Sequence, residues 1–321
     1  HRRLSLAALS DHRRTTRTVK QKPMTFRIIK QNDMGDNIRL VARDQIDKAL
    51  TELADTTLGA HEVVHQVRKR CKKIRGLIRL VRPVFSAYPM ENVLFRDAAR
   101  GLSRIRDAQA VIDTHDSLID HFSGHLETGA FSSVREYLGE RRDEIVRTDL
   151  PPEALWEFSS KMREARQRSD DWRIETGGFD AVQGGLGKTY GRARKALSRA
   201  GDHPCVEHIH EARKRVKYHW YHVRLLRDIW PDMMKMRGAE LHRLSELLGM
   251  DHDLWVLQQA LASYGISSAR SNELQVLLGL ADQRSAELRA EARPLGVRLM
   301  AAKPKWLIAS FRSYWSVWRD R

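Results

Sequence analysis

The sequence predicts an all-α protein built from two related helical bundles that face one another. Strand signals are nearly absent from its 321 residues: alternation is rare, and runs of Val, Ile and Thr are short. Apolar residues instead recur three and four apart along most of the chain. Residues 65–82 also recur at 210–227, a shift of 210 − 65 = 145 positions.

Residues 1–22 read as a basic leader or tag remnant, disordered and outside the fold. The first helix is expected from about Asp36, with Ile38, Val41, Ala42, Ile46, Ala49, Leu50 and Leu53 on one face. A second starts near Gly59 and runs toward Tyr88, with Pro83 bending or ending it. A third covers about 90–122, and others follow near 128–148 and 151–174. Gly177, Gly178, Gly184, Gly185 and Gly187 read as the clearest interruption, which divides the chain into a first bundle over 24–175 and a second over 176–321. Further helices are expected near 186–200, 204–229, 232–263, 268–293 and 304–319.

The repeat is kept at its charges. His65, Arg68, Lys69, Arg70, Lys72, Arg79, Leu80 and Arg82 fall on His210, Arg213, Lys214, Arg215, Lys217, Arg224, Leu225 and Arg227. Only one of those eight identities is apolar. A repeat that served packing alone would preserve its apolar residues, so these cations point to an anionic ligand. Each copy is followed by an acidic signpost, Asp107 and Asp253, one residue off the same shift.

At about 100° per residue, His65, Arg68, Lys69, Lys72, Arg75, Arg79 and Arg82 share one arc of helix surface. Val67, Ile74, Leu77, Ile78, Val81 and Phe85 form the opposite, core-facing stripe, while Arg70 and Lys73 point elsewhere. In the second copy His210, Arg213, Lys214, Lys217, Tyr221, Arg224 and Arg227 take the corresponding arc, with Trp220 where Arg75 stood. A solvated face mixes signs, because acids four residues from lysines stabilise a helix. Residues 62–82 hold eight Lys/Arg and only one acid, Glu62. Like charges at i,i+4, as in Arg68/Lys72 and Arg75/Arg79, cost a few tenths of a kcal/mol each, which a bound anion would relieve. Two further stripes border the same site: Arg96, Arg100 and Arg104 after the first copy, and Lys188, Arg192, Lys195 and Arg199 before the second.

The totals agree. A net charge of +16 and a pI near 10.1 attract nucleic acid, polyphosphate or an acidic membrane surface. Two cysteines, Cys71 and Cys205, suit a reducing, cytoplasmic setting and build no disulfide framework. No stretch approaches the length of a spanning helix.

Other motifs fail on physical grounds. His61-Glu62-Val63-Val64-His65 spells a zinc-protease signature, but the cations downstream repel Zn²⁺ and the second copy has Val206 where His61 stands. Gly184-Gly185-Leu186-Gly187-Lys188-Thr189 suggests a P-loop, yet Val182 occupies the place of its first glycine and no strand precedes it. His203, His208, His210, His219 and His222 span the whole helix circumference and read mostly as surface or partly buried residues. His115, His121 and His125 have no evident partner. Nothing arranges a nucleophile, a base or paired carboxylates, so the residues call for no enzyme, metal or cofactor.

The pattern His-x-x-Arg-x-x-x-Lys, its following arginines, and then Leu-x-x-x-Arg-Asp or Leu-Gly-x-x-x-Asp resembles the CHAD family, the conserved histidine α-helical domain. The likeness runs from about Met24 to the C-terminus. It takes in Phe26-Arg27-Ile28 with Gly35, Leu186-Gly187-Lys188-Thr189-Tyr190 leading into Arg192 and Arg194, and Lys303-Pro304-Lys305 with Trp315 and Trp318. The resemblance implies two four-helix bundles related by pseudo-two-fold symmetry. It also implies non-enzymatic binding of inorganic polyphosphate in a basic channel between them, with association to polyphosphate granules. The implied ligand residues are His65, Arg68, Lys72, Arg75, Arg79, His210, Arg213, Lys214, Lys217 and Arg224. Trp220 and Tyr218 depart from the cationic pattern, and imply a weaker or stacking grip in the second half. Single-stranded RNA is the alternative ligand, since Tyr190, Tyr218, Trp220 and Tyr221 lie near the basic arcs; a duplex is too wide for a slot between bundles.

Overall fold

In the computed structural model, residues 26–127, 129–149, 152–265 and 271–320 are described. The expected leader over 1–22 lies outside them. Every described element is helical: α1 (Met34–Ala54), α2 (Ala60–Leu80), α3 (Tyr88–Gly101), α4 (Ser103–His121), α5 (Ser132–Asp149), α6 (Pro152–Arg168), α7 (Asp180–Asp202), α8 (Val206–Leu225), α9 (Pro231–Gly265), α10 (Ser271–Leu299) and α11 (Pro304–Asp320), with three short 3-10 turns. The all-α expectation holds.

Local signals explain the boundaries. The Asp33 carboxylate accepts from the Asp36 N–H at 2.7 Å and opens α1. Buried Asn37 donates to the Ile29, Asn32 and Asp33 carbonyls and accepts from the Ile29 N–H, which fixes the approaching strand of chain. That segment then reaches the second half, where Ile28 N–H donates to the Leu225 carbonyl at 2.8 Å. α2 stops at Leu80, three residues before Pro83.

Three expectations need correction. The helix expected over 90–122 is two, α3 and α4, broken at Leu102. Pro294 does not end α10, which continues to Leu299 and packs Gly296 against Leu197 and Leu244. The glycine run is only half a boundary. Gly177 and Gly178 (φ +59°) form the turn, but Gly184, Gly185 and Gly187 lie inside α7. A Cβ on Gly185 would stand 1.9 Å from the Leu80 carbonyl oxygen, and one on Gly184 2.9 Å from Pro83. Gly185 lets α7 touch the backbone at the end of α2, and Gly184 makes room for the Pro83 ring.

α2 is the hub. It packs on α1, α3 and α4 of its own half and on α7 and α8 of the other. α9 runs between α8 and α10 and also meets α4. Val67, Ile74, Leu77, Ile78, Val81 and Phe85 are all buried, as the wheel requires. They belong to one apolar core that continues through both halves.

Candidate anion-binding site

The two copies of the repeated helix meet through corresponding positions. A Cβ on Gly76 of α2 would lie 2.9 Å from Tyr221 of α8, and 221 is 76 + 145. His222 Nε2 donates to the Gly76 carbonyl oxygen across the same crossing, at 3.1 Å. Burial holds His222 near a pKa of about 3, so it is neutral and serves packing. The basic arcs of α2 and α8 flank this crossing.

Lys72 marks where they converge. Its side chain is open to solvent, yet the surrounding protein, and then the charges of Arg68, Arg213, Arg106 and Lys217, bring its ammonium down to about 8. Lys72 is thus an exposed ammonium facing cations of both halves. Two of those four cations come from each half. Among the described residues, no carboxylate pairs with Lys72.

The imidazoles border the same cluster. Burial, then Arg106, lowers His65 below its ordinary value. Burial, then His252, Lys214 and Arg213, brings His210 to about 4; its ring lies 4.6 Å from that of His252. Both are neutral at pH 7, each with one N–H to donate and one nitrogen free to take a proton.

The two rows differ in how their charge is balanced. On α2, Arg68 donates to the Ala99 carbonyl, Lys69 to Gln66 (3.4 Å) and Arg75 to Asn92 (3.3 Å). Arg79 donates to the Arg75 carbonyl (3.1 Å) and stacks over the Tyr218 ring (4.0 Å). All these partners are neutral; Asp107 supports the charge of Arg68 through its field. On α8, Arg213 pairs with Asp253 (3.1 Å), Lys214 with Glu211 (2.6 Å) and Lys217 with Glu246 (3.2 Å). Lys217 and Arg224 also lie over Trp220, at 4.4 and 4.7 Å. Burial alone would raise Asp253, but the His252 hydrogen bond and the charges of Arg213 and Arg106 outweigh it and hold the carboxyl below its ordinary range. The second row thus carries three carboxylates beside its cations, Asp253, Glu211 and Glu246, in addition to the substitution of Trp220.

The bordering stripes divide. Arg192 comes close to Arg82, where it lowers the charge preference of that guanidinium. Arg100 is exposed near Asp97 and Arg75. Arg104 turns away and pairs with Asp149 of α5 at 2.9 Å, and Lys188 lies exposed on α7. Arg70 points away as expected, to Glu52 of α1 at 2.5 Å. Lys73, expected merely off the arc, is buried over Phe26 at 5.7 Å. Sequence reasoning passed over Arg106, which influences His65, Arg68 and Lys72 together. The repeat contained its signal: 106 + 146 = 252, so Arg106 stands to His65 as His252 stands to His210. It also missed that His219 and His222 are fully buried. Among the described residues no three His, Cys, Asp or Glu side chains are grouped to hold a metal ion, and no helix is long and apolar enough to cross a membrane.

An all-helical chain with a duplicated cationic helix, one copy in each half, is the class that this fold and site define. Residues 40–262 match the CHAD domain, and the chain belongs to that family. It is similar to the crystal structure of the CHAD domain from the plant Ricinus communis, with a TM-score of 0.57 and 13% identity over 83% of this chain and 90% of that one. It is likewise similar to PptA from Streptomyces chartreusis, with a TM-score of 0.56 and 13% identity over 84% of this chain and 100% of that one. Among curated sequences it is 25% identical over 274 residues to the uncharacterised proteins MT2285 and Rv2226 of two Mycobacterium tuberculosis strains. The alignment covers 81% of this chain, which spans about half the length of those relatives (51%).

Proposed function

We propose that the protein binds inorganic polyphosphate, without turning it over, along the cations of α2 and α8 beside the crossing of the two helices at Gly76 and Tyr221. The observation that carries this reading is Lys72: an exposed ammonium with no acid partner among the described residues, in the combined field of Arg68 and Arg106 from one half and Arg213 and Lys217 from the other. Such a cluster is self-repelling when empty and is relieved by a multivalent anion. Cations three and four residues apart on a helix stand ~5–6 Å apart, a ladder suited to a linear phosphate chain. Arginine forks grip two oxygens at once, and lysines follow as mobile point charges. The contact at corresponding positions Gly76 and Tyr221 supports the pseudo-two-fold arrangement of the two halves that the family implies.

The reading places the protein in the cytoplasm, with polyphosphate granules as its setting. The test is titration with long-chain polyphosphate at several salt concentrations, where affinity should fall steeply as salt rises. Single-stranded RNA at equal phosphate concentration should not displace labelled polymer; displacement would favour a nucleic-acid ligand and overturn the proposal. Incubation with Mg²⁺ or Mn²⁺ should leave polymer length unchanged, and shortening would make the protein a hydrolase.

A further inference from the structure

The second row carries its own anions, and one of them is placed to yield. Glu246 on α9 holds Lys217 at 3.2 Å, with side-chain exposures of 52% and 30%. An exposed pair of this kind contributes little, and a phosphate chain that brings several charges at once can displace it. Asp253 is held differently. It is less exposed (24%), pairs with Arg213, accepts from His252 and sits in the field of Arg106. Removing it would strand a partly buried charge, so Asp253 stays where it is.

Both partners of the Glu246 pair have somewhere to go. Lys217 lies 4.4 Å over the Trp220 ring and keeps its position when the carboxylate leaves. Glu246 has a second contact, His242 Nε2 at 3.9 Å, one turn earlier on its own helix. The His242 ring is itself held edge-on by Trp220 at 4.9 Å. Among the described residues no equivalent acid pairs with Lys72 in the first row.

We infer that Glu246 is a tethered competitor for the polymer: its carboxylate occupies the phosphate position on Lys217, so the first row is open to any short phosphate chain, whereas the second row engages only a chain long enough to span the crossing and displace the acid. Glu246 is thus a specificity-determining residue that acts through Lys217. This rests on the polyphosphate reading above and describes how that site is regulated.

The experiment is a double-mutant cycle on the full chain, with tripolyphosphate and long-chain polyphosphate as probes. Glu246→Gln should tighten long-chain binding by roughly 1.5- to 5-fold, the range an exposed ion pair supplies, and leave tripolyphosphate unchanged. The gain should vanish in a Lys217→Gln background. Glu62→Gln, which also removes one negative charge near the first row but whose acid accepts from Gln66 and pairs with no cation among the described residues, should not reproduce the chain-length dependence. Equal gains for both probes, or a gain that survives in the Lys217→Gln background, would show a general charge effect and overturn the inference. No gain at all would show that Lys217 is not a contact. Failure of wild-type protein to bind either probe would instead remove the underlying reading.

Discussion

Phosphate binding should draw protons onto Lys72, and the size of the effect follows from its surroundings. In the free protein, enclosure by the fold and four neighbouring cations hold the ammonium near 8. Phosphate oxygens beside it reverse the sign of the local field and raise its affinity for a proton toward or beyond the ordinary lysine value of ~10.4. The sign follows directly. The bound state holds more protons than the free state between pH 8 and the bound pKa, so affinity is fully present below pH 8 and is lost as pH rises above it. Through this one group the loss approaches ~tenfold per pH unit, since one pKa unit corresponds to ~1.36 kcal/mol. At pH 8 half the free lysines are neutral, so binding should take up ~0.5 proton through Lys72 alone. Isothermal titration in two buffers of different ionisation enthalpy measures this number. Lys72→Met should remove that uptake and flatten the alkaline fall in affinity. Lys73 is also brought down to about 8, first by burial and then by Arg70 and Arg224; it is buried over Phe26, a ring it shares with Arg224, so a Lys73→Met variant measures any share of the uptake that reaches it through Arg224. Uptake that persists unchanged in Lys72→Met would refute the argument.

Other outcomes follow from the same coordinates. Lys69→Glu with Lys72→Glu should abolish polyphosphate binding while far-UV dichroism and Tm hold or improve, because both side chains are exposed and relieved of like charge. Arg68→Glu should instead destabilise the fold by ~1–3 kcal/mol in denaturant unfolding, since the Ala99 carbonyl loses the guanidinium that donates to it. Gly185→Ala should lower stability by ~3 kcal/mol or more, seen as a lower denaturant midpoint, because backbone cannot move aside from a Cβ placed 1.9 Å from the Leu80 oxygen. Cys71, which burial pushes up to about 12, should resist thiol reagents in the native state, whereas half-buried Cys205 should react first; equal rates would contradict the packing of α2.

Much of the fold was legible because periodicity is local. The buried stripe of α2 and the outward set of Arg70 follow from a 3.6-residue turn alone. The shared spacing of the two basic helices likewise singled out the candidate site, since the repeat spares its charges and lets core residues drift. What could not be read depends on partners distant in sequence. Gly184 and Gly185 looked like a break because glycine weakens a helix; only the approach of Leu80 and Pro83, about a hundred positions earlier, explains them. Lys73 is off the cationic arc, but burial against Phe26 is a tertiary fact. The charge of the second row was overstated for the same reason: Glu246 and Asp253 belong to α9 and meet α8 only in the folded chain. The split of the helix expected over 90–122 sent Arg104 to Asp149, away from the stripe it was grouped with.

The pairing of Gly76 with Tyr221 has a consequence for how the two copies can evolve. A duplicated unit usually keeps the option of associating with a second copy of itself. Here the shared contact is divided into a notch on one helix and a ring on the other. At this one point a pair of like halves would set notch against notch or ring against ring, and only the unlike pairing fits.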